Sequence, residues 1–280
     1  YWTIDAVFKK GTKQFQAAFY GVDGKKMKLT SNDEVKEVLS RLTSKDFSVD
    51  QVDKKERKRN APLPYTTSSM QMDAANKINF RTRKTMMVAQ QLYEGINIGS
   101  GVQGLITYMR TDSTRISPVA QNEAASFITD RFGSKYSKHG SRVKNASGAQ
   151  DAHEAIRPSD VKLLADHLSG MDKDAVRLYD LIWRQFVACQ MPAAQYDSTT
   201  VTVMAGDYEL KAKGRILRFD GWTKVLPQLG KNPEDQILPA VSLNETLALK
   251  TVSPSQHFTK PPARFTEAAL VKELEKRGIG

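Results

Sequence analysis

The chain has 280 residues, 40% of them hydrophobic, enough to bury one large core or two modest ones, and it reads as a folded soluble protein. Lysine and arginine number 42 against 31 aspartates and glutamates, a net charge of +11 that attracts polyanions and makes nucleic acid the first partner to consider. No uninterrupted apolar run approaches the ~18 residues of a membrane span, and no apolar amphipathic helix carries a lysine-rich face, so a membrane partner is set aside.

Residues 2–8 alternate apolar and polar side chains, Lys9-Lys-Gly-Thr turns the chain, and residues 14–20 resume the alternation, which predicts a β-hairpin. Ser31 is a polar cap for a helix with Val35, Val38, Leu39 and Leu42 on one face. Residues 47–52 read as a strand. The charged run Asp53-Lys-Lys-Glu-Arg-Lys-Arg then leads to Pro62 and Pro64, a domain boundary whose charges are either solvated surface or a DNA contact. Two helices follow, one opening at Thr67-Ser-Ser and ending near Asn79, the other over residues 82–94 with Met86, Ala89, Leu92 and Tyr93 on one side and its methionines read as core packing. Residues 95–104 form a glycine-rich flexible approach; Gly99-Ser-Gly precedes no long helix and is not a phosphate loop.

The next stretch, Gly104-Leu-Ile-Thr-Tyr-Met-Arg-Thr-Asp-Ser-Thr-Arg-Ile-Ser, is too polar for a core. A phenol is almost wholly protonated at neutral pH, and a fixed cation favours its anion. Arg110 lies two residues from Tyr108 and matches a phosphate with its planar fork of donors. The residue types alone fit either a nucleophile for phosphorus or a strand end with a packed tyrosine.

Ser117-Pro opens a helix running to about Phe132. Residues 133–150 form a basic, mobile connector with Lys135, Lys138, His139, Arg142 and Lys144, either a nucleic-acid path or a surface loop. In Asp151-Ala-His-Glu-Ala-Ile-Arg-Pro-Ser-Asp, one helical turn would put His153 and Arg157 on a common face before Pro158, as a structural pair or an anion site. Residues 174–190 are an amphipathic helix carrying Val176, Tyr179, Ile182, Trp183 and Phe186. It includes Cys189, the single cysteine, which reads as a small buried hydrophobe and fits a reducing intracellular compartment. Strands return at residues 197–205, 208–214, 216–219 and 246–252, so a β region is split around a helical insertion. A capped helix from Thr266 is expected to begin another domain, and a first residue Tyr1 with no leader suggests a piece of a longer protein.

Leu105-Ile-Thr-Tyr-Met-Arg-Thr-Asp-Ser and Ala152-His-Glu-Ala-Ile-Arg-Pro-Ser-Asp-Val together resemble the signatures of the bacterial DNA topoisomerase I family of type IA topoisomerases. Pro64-Tyr-Thr-Thr-Ser-Ser-Met-Gln, Lys84-Thr-Met-Met-Val-Ala-Gln-Gln-Leu-Tyr-Glu, Leu181-Ile-Trp-Arg-Gln-Phe-Val-Ala-Cys-Gln-Met and His257-Phe-Thr-Lys-Pro-Pro-Ala-Arg-Phe-Thr-Glu extend the likeness over nearly the whole chain. The resemblance implies an α+β fold forming the arch of a toroid. Residues 1–64 and 193–262 would form a β-rich domain II, 65–192 a helical domain III with the catalytic tyrosine, and 263–280 the start of domain IV.

It further implies that Tyr108 cleaves one DNA strand through a 5′-phosphotyrosine, that Arg110 neutralises the scissile phosphate, and that His153 donates to it. Asp112 and Arg157 are implied as DNA-binding residues. Mg²⁺ is implied for the parent enzyme, on a TOPRIM domain whose Asp-x-Asp pattern is not found here, and no cofactor is expected in this piece; the family's C-terminal zinc modules are not found either. Expected partners are single-stranded and negatively supercoiled DNA and the remaining parental domains, in the bacterial cytoplasm at the nucleoid. The alternatives are a non-catalytic basic single-strand-binding module and a topoisomerase III-like decatenating enzyme.

Overall fold

Every second residue of Trp2–Lys10 (β1) turns inward, burying Ile4, Ala6 and Phe8. Lys13–Val22 (β2) pairs antiparallel with it and buries Phe15 and Ala17. A two-residue strand, Lys25–Lys26 (β3), adds to the far end of β2. The helix Asn32–Thr43 (α1) starts at a full capping box, Ser31 with Glu34, and buries Val35, Val38 and Leu42 in the same apolar cluster. These residues belong to a computed structural model that describes residues 1–138, 153–168, 170–228, 230 and 232–279.

Phe47–Arg59 (β4) continues past residue 52, where the strand was expected to end, through the charged stretch that precedes the boundary. Backbone pairing is indifferent to side-chain charge, so the strand continues while residues 55–59 stay exposed. Ala194–Ala205 (the later β7) and Tyr208–Phe219 (β8) form a long hairpin. No break occurs at Gly214. A Cβ there would lie 2.6 Å from the Gln236 carbonyl oxygen, so this glycine marks a close crossing of chains rather than a strand end. Thr246–Gln256 (β9) pairs with β1, and because β1 also pairs with β2, the order β1-β9-β4-β7-β8-β2 closes on itself. Phe8 packs its ring against Phe15 and Phe47 at the centre. Strands from both sides of the helical insertion thus share one sheet.

This β-rich unit comprises Tyr1–Lys58, Gln195–Phe219 and Leu229–Ala263; the helical unit comprises Arg59–Ala194, Asp220–Gln228 and Arg264–Gly280. The helical unit contains Thr67–Ile78 (α2), Thr82–Glu94 (α3), Pro118–Phe132 (α4), Lys173–Cys189 (α5) and Glu267–Lys276 (α6). Ile96–Asn97 (β5) and Val102–Gln103 (β6) pair as a small hairpin where a flexible approach was expected. Helix α5 is the spine, with Leu178, Tyr179, Ile182, Phe186, Val187 and Ala188 buried. Cys189 is buried too, and burial pushes its thiol up to about 12, the behaviour of an inert packing residue. Helix α6 packs on α2, and its Glu267 carboxylate accepts the Thr82 amide at 2.8 Å, capping an α3 whose own N-cap, Arg81, offers no side-chain acceptor. No helix among the described residues is long and apolar enough to cross a membrane.

Candidate active site

Tyr108 lies on a short irregular segment, bent at Thr107 and Met109 and held from both sides. The Leu105 amide donates to the Leu92 carbonyl at 2.7 Å at the end of α3, and Ile106 bridges Pro158. Thr107 makes the decisive links. Its amide donates to the Arg157 carbonyl at 2.9 Å, while its hydroxyl accepts the Arg157 amide at 3.0 Å and donates to the Ala155 carbonyl at 2.7 Å. On its other edge, the segment holding Ala155 and Ile156 donates backbone amides to Arg115 and Tyr65, each at 2.8 Å. Residues 153–158 are therefore extended, not the helical turn expected from the His153–Arg157 spacing. Pairing on both edges satisfies their backbone groups without intrahelical bonds.

Beyond Tyr108 the chain is anchored again. Met109 is buried at 1% exposure, and the Thr67 hydroxyl donates to the Met109 carbonyl at 2.7 Å while accepting the Thr111 amide at 2.9 Å. The Thr111 and Ser113 hydroxyls accept the amides of Ser113 and Arg115. These hydroxyls shape the loop, which leaves the phenol and guanidinium as the reactive groups.

Tyr108 itself is half-buried, with its ring 5.1 Å from the His153 ring and 5.3 Å from the Tyr93 ring in an edge-to-face arrangement. Three other tyrosines of this unit spend their hydroxyls: Tyr65 on Asp73, Tyr136 on Asp220 and Tyr179 on the Leu163 carbonyl. Burial pushes the Tyr65 and Tyr179 phenols well above the ordinary range; the hydrogen bond to Asp220 raises Tyr136 to about 12. The Tyr108 hydroxyl makes no hydrogen bond among the described residues. Arg110 and Asp112 are exposed, and their side chains form no ion pair or hydrogen bond there either.

Arg157 is committed to the scaffold instead, since its guanidinium holds Glu154 at 2.6 Å and the Pro158 carbonyl at 3.0 Å. Burial alone would raise the Glu154 carboxyl, but the neighbouring Ser117 hydroxyl and amide and the Arg157 guanidinium outweigh it and hold the carboxyl below its ordinary value. The buried Arg115 Nε has no acceptor among the described residues. His139, Arg142 and Lys144 of the expected basic path lie outside the described residues.

Sequence reading missed Tyr93, Thr107, Thr67 and Glu154. Helical spacing put Tyr93 on one side of α3 with Met86, Ala89 and Leu92, and it is 41% exposed and touches Tyr108, while Met87, expected in the core, is 56% exposed. Its position in the last turn of the helix, two residues before Gly95, was the available signal.

The sequence model of the DNA topoisomerase family matches residues 1–280. The chain belongs to the DNA topoisomerase family. It is 54% identical over 282 aligned positions to DNA topoisomerase 1 of Haemophilus influenzae, covering 100% of this chain and 32% of that protein. Against DNA topoisomerase 1 of Escherichia coli K12 the identity is 51%, over 89% of this chain and 28% of the relative. Full-length topoisomerase I from Thermotoga maritima superposes with a TM-score of 0.79 and 33% identity, over 99% of this chain and 44% of that one. The mixed α and β architecture is thus that of a type IA topoisomerase, and this chain spans about a third of the length of the bacterial topoisomerase 1 relatives. Among its described residues no group of three or more His, Cys, Asp or Glu side chains is placed to hold a metal ion, so these residues do not fit a Mg²⁺ site.

Proposed function

We propose that the parent of this chain is a type IA topoisomerase that cleaves one DNA strand with Tyr108 as nucleophile. The observation carrying this reading is a half-buried phenol with an uncommitted hydroxyl, flanked by His153 at 5.1 Å and followed two residues on by an unneutralised Arg110. The Tyr108 oxygen attacks a phosphodiester, forming a bond to phosphorus as the bond to the 3′ oxygen breaks. The phenolic proton is lost, a proton reaches the departing 3′ oxygen, and the 5′-phosphate remains on Tyr108. One ester replaces another, so the reverse attack reseals the strand without ATP.

Arg110 offsets the charge that builds on the phosphate, and His153 donates a hydrogen bond to it. Asp112 and Arg157 are assigned to the DNA path, Arg157 by way of its backbone position because its side chain holds Glu154. The TOPRIM carboxylates of the parent would hold Mg²⁺. Single-stranded and negatively supercoiled DNA are the substrates of this reading, at the nucleoid in the bacterial cytoplasm, with the helical unit as gate and the β-rich unit as its flexible support.

Tyr108→Phe in the full-length parent tests it. Covalent capture of 5′-linked DNA should vanish while the protein still folds and binds single strands; a mutant that still traps DNA sinks the assignment. The net charge of +11 keeps a second reading in view, a non-catalytic single-strand-binding module.

A further inference from the structure

Tyr108 has a second aromatic neighbour besides His153. Tyr93 occupies the last turn of α3, at 41% exposure, with its ring 5.3 Å from that of Tyr108 at an interplanar angle of 67°. Its hydroxyl makes no hydrogen bond among the described residues. A side chain that is neither deeply buried nor hydrogen-bonded is not a core residue, and its ring is stacked edge-to-face on that of Tyr108. His153 lies on Tyr108 as well, at 5.1 Å and 42°, so two rings bound the swing of the phenol.

The backbone makes the same connection. Leu105 is hydrogen-bonded to the Leu92 carbonyl, and a Cβ on Gly104 would lie 2.7 Å from the Tyr93 carbonyl oxygen. The chain that delivers Tyr108 is therefore seated on the same helix end that projects the Tyr93 ring. Tyr93 is carried by a helix fixed at both ends, by the Thr82 amide on Glu267 and by the Leu92 carbonyl on the Leu105 amide, so its ring stands on a rigid element.

We infer that Tyr93 is a positioning residue for the cleavage step, holding the Tyr108 phenol in line for attack through its ring rather than its hydroxyl. The inference rests on the nucleophile assigned above. Attack requires alignment of oxygen with phosphorus, and a small misplacement of a reacting group costs on the order of 10²-fold in rate. Losing the ring should therefore appear in the chemical step and not in DNA affinity.

The test uses the full-length parent with Tyr93→Phe, Tyr93→Leu and Tyr93→Ala, and Tyr108→Phe beside them. Single-turnover formation of the covalent complex on a 3′-labelled single-stranded oligonucleotide is measured with its Kd, and thermal melting monitors folding. Tyr93→Phe should cleave at nearly the parental rate, and Tyr93→Ala should be slower by about 10- to 100-fold at a Kd within about twofold of the parent. Tyr93→Leu, which keeps bulk in the same place, should fall between them and covers the case in which the alanine variant does not fold. Parental rates in both Tyr93→Ala and Tyr93→Leu overturn the inference, as does a loss in Tyr93→Phe equal to that in Tyr93→Ala, or a loss confined to Kd. Covalent capture by Tyr108→Phe would instead overturn the nucleophile assignment, so the two failures are read separately.

Discussion

Arg110 carries a charge that no side chain among the described residues neutralises, two positions from a phenol whose hydroxyl is also uncommitted. A cation held free at such a place stabilises charge that develops in the transition state more than charge already present. Arg110→Ala in the parent should slow cleavage by roughly 10²–10³-fold. Arg110→Lys keeps the charge but loses the two-pronged fork and should recover only part of that rate; cleavage within a few-fold of normal in the alanine variant would remove Arg110 from the mechanism. Glu154 and Arg157 behave differently, because both are mostly enclosed, with side chains 17% and 15% exposed, and each satisfies the other. Glu154→Gln should cost about 1–3 kcal/mol by leaving the guanidinium poorly matched. The native carboxyl titrates below the ordinary glutamate value of 4.5, so its ionised form is favoured by folding. Its stabilisation is full above pH ~4.5 and is lost as the pH falls through the lower native value. Urea midpoints of the wild type and Glu154→Gln should differ most near neutrality and converge under more acidic conditions; a difference independent of pH would place the effect in packing.

The elements that position the site are short, and their couplings span long stretches of chain. Gly104 shows how tight one coupling is: Gly104→Ala would drive a methyl group to 2.7 Å from the Tyr93 carbonyl oxygen, a backbone atom that cannot rotate away. Relief requires the 104–105 segment to lift from α3, costing about 1–3 kcal/mol as other overpacked sites do and displacing Tyr108. Melting temperature and covalent capture should fall together, and an unchanged melting temperature would show that the segment yields freely. Helical periodicity made α1, α3, α4 and α5 legible, and alternation did the same for β1 and β2, because those patterns are local. Signature residues singled out Tyr108, Arg110 and His153 in sequence. The Thr107 stitches were not legible, since the hydroxyl joins carbonyl and amide groups 48 and 50 residues away. The contact of Tyr93 with Tyr108 was not legible, because helical spacing places it beside Leu92 and Ala89 and periodicity alone does not tell a buried face from a ring that leans out over the next segment. The 53–59 run has the solvated charges expected of it and the two units part at Lys58 and Arg59, but its strand character was not legible, because strand pairing asks only for backbone groups and leaves the side chains to solvent.

At the scale of the whole molecule, the net charge of +11 and the incomplete coverage of its relatives, about a third of their length, pull in one direction. The chain holds the proposed nucleophile and a field that attracts polyanions, but no cluster able to hold a metal ion among its described residues. A basic surface on its own yields binding whose strength falls as salt displaces it, log Kd rising linearly with log salt. In the reading proposed for the parent, the groups that accompany Tyr108 come from its other domains. The 280 residues alone should therefore bind single-stranded oligonucleotides weakly and with marked salt dependence, and should leave a supercoiled plasmid unrelaxed with or without Mg²⁺. Both outcomes are shared with a plain nucleic-acid-binding module, so they do not decide between the readings. Mixing does. If the site is divided between this chain and the N-terminal portion of the parent, adding that portion should restore Mg²⁺-dependent strand cleavage with the 5′ end linked to this chain, and Tyr108→Phe in this chain should abolish it. A binding module has no nucleophile to contribute, so it would leave the DNA uncut however tightly the two portions associate. Cleavage restored equally by wild type and Tyr108→Phe would place the chemistry on the added portion and reduce this chain to a scaffold.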